Sequence, residues 1–416
     1  MPVLFPSLRF CLPLLLCPLA VRADPQRFEK APHDYWKRPL SDPFTVWLGK
    51  VSKGEAQMPA GDEITVMRGL LKEFSVPVSS QMIVYSATSR QAIISPYRPR
   101  ALYFTDELYI GYVPGGRIEV ASIDPQAGPV FHIFDFPRSE RATVRADRST
   151  RCMECHAGFD NHEIPKLVID SVIVNRQGGA LETWRTEKSG HDVPLSERFG
   201  GWHLTGAASL GVNHGNTLGQ MNQGKLTVLD NPPGRLFSLD RYPLPTSDIL
   251  PQLMHDHQAG FINLLTEAIY KVRELTTPEH GALTPADEKE LDRHAADITA
   301  YMLFQKEAKL PPSGITGDPG FIRDFRENRK AIAGDHSLKE FDLKTRLMRY
   351  RCTYMIYTNY WANLPALVKD RCWQRLKVLL GPDGTSGTAP WLPSVERAAI
   401  RKILGGTLEE SPKEWK

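Results

Sequence analysis

Short apolar runs separated by turn residues dominate the first half of the chain. The runs occupy positions 82–85, 101–104, 108–113, 118–123 and 130–134. Pro114-Gly115-Gly116 and Asp124-Pro125 lie between them, and glycine and proline at such points favour turns. The pattern predicts a meander of antiparallel β-strands. A further hairpin is predicted from the runs at 167–174 and 180–184, which flank Arg176-Gln177-Gly178-Gly179.

In the second half, apolar residues recur at the spacing of α-helices. The predicted helices cover 248–273, 285–306, 336–361, 363–380 and 394–404, and one earlier helix covers 62–74. Residues 24–60 are predicted to form an extended arm, and the segment 307–335 an irregular connector. The elements predict an α+β fold with a β-rich, antiparallel N-terminal domain at 24–246. An all-helical C-terminal domain at 247–416 is expected to pack on it.

Composition and charge exclude several classes of protein. The 416-residue chain is 41% hydrophobic and 24% charged, which excludes collagen-like, coiled-coil and disordered proteins. It carries 51 Lys and Arg against 48 Asp and Glu, and this small excess of positive charge does not indicate a nucleic-acid-binding surface. No apolar run reaches the roughly 20 residues that a membrane-spanning helix needs. We therefore expect no nucleic-acid partner and no membrane span.

The first 23 residues have the pattern of a secretory signal peptide. Arg9 precedes an apolar run at 10–21, and Val21-Arg22-Ala23 places small or apolar residues at the two positions that determine cleavage. Cleavage after Ala23 is expected, which predicts a periplasmic or secreted protein. The signal peptide contains Cys11 and Cys17, so four of the six cysteines remain in the mature chain.

Cys152-Met153-Glu154-Cys155-His156 has the C-x-x-C-H pattern by which c-type haem is attached. Residues three apart lie on one face of a helical turn, so both thiols reach the vinyl groups of a single porphyrin. The next residue, His156, then supplies the proximal imidazole to the iron. Covalent attachment in bacteria requires export, in agreement with the signal peptide. We therefore predict one covalently attached haem c.

Two other chemistries use the same residues. A redox-active C-x-x-C pair favours the N-terminus of a helix in a βαβ unit, which the surrounding sequence does not indicate. A zinc site would combine Cys152 and Cys155 with His162 or His156, but no second cysteine pair stands at zinc-finger spacing. Both interpretations stay open beside haem.

The sequence offers two main candidates for the sixth iron ligand, His257 and His214. His257 completes an apolar stripe on the helix predicted from 248, and Gly260 one turn later would let a flat macrocycle approach the backbone. His214 lies in a glycine-rich segment. By contrast, His255 falls about 200° from His257 around the helix and is expected to face water.

Several further residues are candidates for lesser roles. His203, Met221 and Met254 are weaker candidates for the sixth ligand, and the position is open if no side chain fills it. Cys352 and Cys372 form either a disulfide or two buried thiols. No catalytic residue is predicted, because the chain has no Ser-His-Asp order, phosphate loop or paired carboxylates. The candidates to pair with haem propionates are Arg98, Arg100, Arg148 and Arg151.

These motifs resemble an uncharacterised family of exported bacterial proteins that have a single cytochrome-c-type haem site. The resemblance covers most of the mature chain, and it implies a compartment, a haem and a whole-chain fold but no assigned activity. Family membership favours His214 and His257 over the other histidines. The segments that carry it are Ser79-Ser80-Gln81, Pro99-Arg100-Ala101-Leu102-Tyr103-Phe104, Tyr109-Ile110-Gly111-Tyr112, the C-x-x-C-H motif, Arg198-Phe199-Gly200-Gly201-Trp202, His214-Gly215-Asn216, His257-Gln258 and 350–365.

The leading expectation is a periplasmic monohaem cytochrome c that exchanges single electrons with a redox partner protein or a small-molecule oxidant or reductant. Length argues against a simple carrier, because removing 23 residues from 416 leaves 393, whereas about 80–120 residues enclose one haem. The alternatives are a peroxidase- or oxidase-like haem enzyme with an open or displaceable sixth position, and a haem-based redox or gas sensor.

Overall fold

The computed structural model describes residues 26–88, 91–137, 144–185, 189–382, 387 and 389–416. Within them an antiparallel sheet occupies the N-terminal half and helices dominate the C-terminal half, so the predicted α+β class is confirmed. The predicted signal peptide and its cleavage point after Ala23 lie outside the described residues.

Seven strands form the main sheet, and every neighbouring pair is antiparallel. Strands β1 to β5 form the predicted meander, each with bounds within two residues of those expected. In spatial order the strands are β6 (Asp147–Arg148), β5 (Gly128–Phe134), β4 (Ile118–Asp124), β3 (Leu108–Tyr112), β2 (Arg100–Phe104), β1 (Met82–Val84) and β9 (Trp202–His203).

Among the described residues, three two-stranded hairpins lie outside the main sheet. The first, β7 (Ser171–Val174) with β8 (Ala180–Arg185), is the predicted hairpin and is confirmed. The second, β10 (Thr217–Asn222) with β11 (Lys225–Asp230), was not predicted. The third is a short pair in the C-terminal half, β12 (Ala331–Ile332) with β13 (His336–Ser337).

The two faces of the main sheet pack against different layers. Directly paired residues on neighbouring strands share a face, and the next residue along each strand points to the opposite one. On one face, Ile110, Ile118 and Phe134 pack in a core with α1 (Pro43–Ser52) and α2 (Glu63–Glu73). The other face turns toward α4 (Ile249–Leu275), the longest helix among the described residues.

Asp248 is the N-cap residue that precedes α4, and its carboxylate accepts a hydrogen bond from the backbone N–H of Leu250. Helix α4 has the sheet on one side and other helices on the opposite side, so both of its sides are buried. The remaining helices are α3 (Thr150–His156), α5 (Pro285–Met302), α6 (Pro319–Glu327), α7 (Asn359–Ala362), α8 (Ala366–Leu379) and α9 (Ser394–Thr407).

Three of the predicted segments were wrong. The helix expected at 336–361 is replaced by β13, an irregular stretch and the short α7. The Asp342 carboxylate accepts hydrogen bonds from the backbone N–H groups of Lys344 and Thr345, which competes with helix formation. The expected arm at 24–60 contains α1, and the expected connector at 307–335 contains α6.

One of the apolar clusters contains residues from both predicted domains. It contains Tyr109 and Phe131 from the sheet together with Leu253 and Ile262 from α4. The boundary at 246/247 stays a prediction, since residues on both sides of it share this cluster. None of the helices in the described part of the chain is both long and apolar enough to span a membrane.

Candidate functional site

A cavity of about 600 Å³ lies on the α4 side of the main sheet. Its floor includes Gly111 and Ala121, in the two strands at the centre of the meander. Even an alanine would be crowded at Gly111, because its Cβ atom would lie 3.2 Å from Cβ of Glu119 and 3.3 Å from Cδ2 of Leu102. A face of a sheet is normally filled by side chains. The space exists here because these two positions carry almost none.

The register sets larger side chains on either side of this gap. Tyr109, Ala121 and Phe131 stand directly opposite one another on β3, β4 and β5. All three line the cavity. Neighbouring strands are about 4.8 Å apart, so two aromatic residues flank the small one with about 10 Å between their strands. The row therefore forms two walls and the floor between them.

Helix α3 brings the C-x-x-C-H motif to the rim of the cavity. Met153 and Ala157 are 3% and 0% exposed and pack the helix onto the core. Cys152, one residue earlier, is partly buried, whereas Cys155 is exposed, and both line the cavity. The two thiols are not joined to each other by a disulfide. One turn of helix thus presents both sulfur atoms to the same space.

His156 lies inside the cavity with a defined tautomer. Its Nδ1 is 2.8 Å from the carbonyl oxygen of Lys166, so the ring donates a proton there and Nε2 keeps its lone pair. The ring stacks on Phe131 with 4.0 Å between centroids. Burial lowers the pKa of His156 to about 4, against the opposing effect of the Lys166 carbonyl. The imidazole is neutral at physiological pH.

The carbonyl that holds His156 is itself held by α4. Lys166 Nζ lies 2.5 Å from Oε1 of Glu267, and the next residue, Leu167, exchanges two hydrogen bonds of 2.8 Å with the Asn263 side chain. Metal-binding histidines commonly donate their second ring nitrogen to a backbone carbonyl, which fixes the orientation of the ring. The arrangement around His156 has this form.

The predicted arginines occupy different places. Arg100 and Arg151 line the cavity, with Arg100 Nη1 2.6 Å from Glu119 Oε2. Arg98 is not among the residues that line it. Arg148 stacks over the Tyr35 ring at 4.7 Å and donates to the Tyr35 carbonyl, so it joins the N-terminal segment to the sheet. Arg117 also lines the cavity and was not predicted; it pairs with Asp135.

Neither main candidate for the sixth ligand lines the cavity. His257 is 0% exposed on the opposite side of α4, where Nδ1 lies 2.7 Å from Nδ1 of His191 and Nε2 lies 2.7 Å from Oγ1 of Thr353. Both of its ring nitrogens therefore have partners within the core. His214 is partly buried in a loop. Its backbone N–H donates a hydrogen bond to the Arg198 carbonyl, and its carbonyl accepts one from Oγ1 of Thr217.

The weaker candidates and Gly260 are also placed elsewhere. A Cβ atom at Gly260 would lie 2.3 Å from Oη of Tyr301, so the protein itself fills the space that we expected for a macrocycle. His203 is buried with its ring 4.4 Å from that of Tyr85, on the sheet face opposite its neighbour Trp202. Met221 is 50% exposed, and Met254 is fully buried without lining the cavity.

His255 was expected to face water, and that prediction was wrong. It is 8% exposed and lines the cavity together with His156. The physical reason is that α4 is covered on both sides, so its polar face is not a solvent face. Around His255 stand the rings of Phe104, Tyr109 and Trp202, at centroid distances of 5.9, 5.4 and 6.2 Å.

The second pair of cysteines is outside the site. Cys352 and Cys372 are fully buried free thiols, so the disulfide alternative is not formed. Burial raises the pKa of the Cys372 thiol to about 12 and that of Cys352 still further. Both thiols stay protonated and serve as small apolar core residues.

The other readings of the motif gain no support. Within the described ranges no three His, Cys, Asp or Glu side chains converge to hold a metal ion, as a zinc site would require. The strands before and after α3, β6 and β7, belong to different sheets, so the helix does not connect two parallel strands of a βαβ unit. Comparison of the chain with protein-family models, curated proteins and solved structures found no match.

Proposed function

We propose that this protein is an exported monohaem c-type cytochrome that carries single electrons. In this proposal Cys152 and Cys155 anchor the haem covalently and His156 is its proximal ligand. The observation that carries the proposal is the placement of three groups around one cavity. Two thiols three residues apart on α3 lie at its rim, beside a neutral imidazole whose Nδ1 donates to the Lys166 carbonyl.

The cavity and the donor set fit a haem. The volume of about 600 Å³ lies within the range of roughly 300–1,000 Å³ that cofactor sites occupy. Tyr109, Phe131 and Trp202 supply flat apolar walls, and Ala121 leaves the floor clear. Arg100 and Arg151 offer cations at the edge for the propionates. When bound, haem supplies a one-electron iron couple.

The surface beside α3 supports exchange of electrons with a partner. Cys155 is exposed, and Phe159, just beyond the motif, has 86% of its surface exposed to solvent. A single exposed apolar side chain is ordinary on a protein surface, so Phe159 adds contact area beside the motif without marking an interface by itself. The anchoring cysteine therefore lies beside an apolar side chain that a redox partner protein would contact.

The test is to produce the full chain in a host that has the cytochrome c attachment machinery. Under denaturing conditions the parent protein is expected to retain one haem, with the mass of a chain that begins at Asp24. The double variant Cys152→Ser, Cys155→Ser should retain none, because no thioether bond forms. The matched control Cys352→Ser, Cys372→Ser removes the two buried thiols and should keep the full haem content.

A parent chain that is exported by this host without covalent haem would show the proposal to be wrong. Equal loss of haem in both double variants would also contradict it. That result would mean that the substitutions lower the haem content by disturbing the fold, and not by removing the attachment motif.

A further inference from the structure

The cavity contains a second imidazole that the C-x-x-C-H motif does not account for. Three of the described residues that line the cavity are histidines and none is a methionine. One of the three, His132, follows Phe131 on β5 and points to the opposite face, where its ring is 5.0 Å from that of Phe44. The two imidazoles on the cavity side are therefore His156 and His255.

These two imidazoles stand at opposite walls. His156 stacks on Phe131 of β5, and His255 packs against Tyr109 of β3. The residue between those two aromatics in the same row is Ala121. The register thus sets one imidazole above each end of the row, with the smallest side chain of the row between them.

His255 is held in this position by rigid elements. It belongs to the second turn of α4, and the helix is tied to the sheet by the bond from Tyr109 Oη to Oε1 of Gln258, at 3.0 Å. The rings of Phe104 on β2 and Trp202 on β9 also pack against it. A ligand on a buried helix with packed neighbours is pre-organised, so little conformational entropy is lost when it binds.

We propose that His255 would bind the haem iron as its second protein ligand, with His156 as the first. This inference rests on the proposed function, because it requires the haem that Cys152 and Cys155 would anchor. The assignment bears on whether the protein is an electron carrier, a haem enzyme or a haem-based sensor. An iron that has imidazoles on both sides has no open position for peroxide or a gas, so the assignment favours electron transfer.

The experiment compares the intact exported protein with two variants on the same helix. His255→Ala removes the proposed ligand, and the matched control His257→Ala removes a core histidine two residues away. Covalent haem content is measured under denaturing conditions, and absorption spectra are recorded for the oxidised form, the reduced form and the reduced form with carbon monoxide.

The parent and His257→Ala proteins are expected to be low-spin and not to bind carbon monoxide. His255→Ala should keep its covalent haem but become high-spin and bind carbon monoxide. Added imidazole should restore the low-spin spectrum of His255→Ala, a rescue that a purely structural role of His255 would not give. In the parent, near-infrared magnetic circular dichroism should show two imidazole ligands.

Each contrary result is distinct. A low-spin His255→Ala spectrum, a parent that binds carbon monoxide, or an imidazole–thioether signature in the parent overturns the ligand assignment and leaves the covalent haem in place. Absence of covalent haem from the parent overturns the proposed function itself, and the haem content reveals it. The parent spectra decide the question even where His255→Ala does not accumulate.

Discussion

Each side of α4 carries a buried histidine surrounded by aromatic rings, but only the side toward the sheet borders a cavity. Toward the helical layer, His257 is enclosed by the rings of His191, Tyr301 and Phe304, and both of its nitrogens are engaged. Toward the sheet, His255 stands among aromatic rings at the wall of a cavity of about 600 Å³. One histidine completes a packed core, and the other borders a space.

The two sides of α4 differ in whether another side chain fills the space beside the small residues there. On the packed side, Tyr301 occupies the space beside Gly260, and its hydroxyl donates to the carbonyl of His257 at 2.9 Å. On the cavity side, the space above Gly111 and Ala121 is left open between Tyr109 and Phe131. A glycine or alanine beside a histidine therefore indicates a cofactor site only where no other side chain fills the gap.

Filling the cavity is expected to have the largest effect. Ala121→Phe would place a ring between Tyr109 and Phe131, in the space that we assign to the haem. The expected result is loss of the low-spin spectrum with unchanged covalent haem content, because the thioether bonds form at Cys152 and Cys155 rather than at the floor.

The matched control for this variant is Ala180→Phe, the same change at an exposed position of β8. It should leave the spectrum of the parent. If the Ala121→Phe protein retains the low-spin spectrum of the parent, the haem does not occupy this cavity.

The strands of the sheet and the attachment motif were predictable from sequence because each depends on local signals. Short apolar runs between turn residues placed five strands correctly, and C-x-x-C-H is a contiguous motif. Two missed helices also had a local signal. Asp42-Pro43 and Asp318-Pro319 each join an N-cap residue to a proline at the first helical position.

The choice between His255 and His257 was not predictable in this way. A helix with one apolar stripe has one buried side, and His257 falls on that stripe. However, α4 is covered on both sides, by α5, α7 and α8 on one side and by the main sheet on the other. Only the register of β3, β4 and β5 reveals that the space is on the other side of the helix, because that register joins Tyr109, Ala121 and Phe131.

A smaller change tests the packed side. By helix propensity alone, replacing a helical glycine by alanine is stabilising by about 1 kcal/mol. At Gly260 the added Cβ would lie 2.3 Å from Oη of Tyr301 and 2.7 Å from the carbonyl oxygen of Ser189. We therefore expect Gly260→Ala to lower the free energy of unfolding by about 2–3 kcal/mol in a denaturant titration.

The control for this change is Gly49→Ala in α1, where no atom beyond the helix's own backbone and the two neighbouring residues lies within 4 Å of the added Cβ in the described part of the protein. It should be neutral or stabilising. The folded Gly260→Ala protein should keep the parent spectrum, since its clash is on the packed side. A stability equal to that of the parent would mean that Tyr301 moves away without cost and that the packed side is looser than its contacts indicate.

The smallest effect concerns pH and a carboxyl group near the packed side. Burial raises the pKa of Glu307 from about 4.5 to about 7, although the backbone N–H of Leu347 donates to its Oε1 at 2.8 Å. A carboxyl group with a raised pKa contributes stability that is complete below about pH 4.5 and is lost as the pH rises through about 7.

Glu307→Gln keeps the acceptor oxygen and cannot ionise. Its free energy of unfolding should equal that of the parent at pH 4.5 and exceed it by on the order of 2 kcal/mol above pH 7. Denaturant titrations at both pH values measure the difference. A constant difference between the two proteins across this range would show that Glu307 ionises as freely in the folded chain as in the unfolded one.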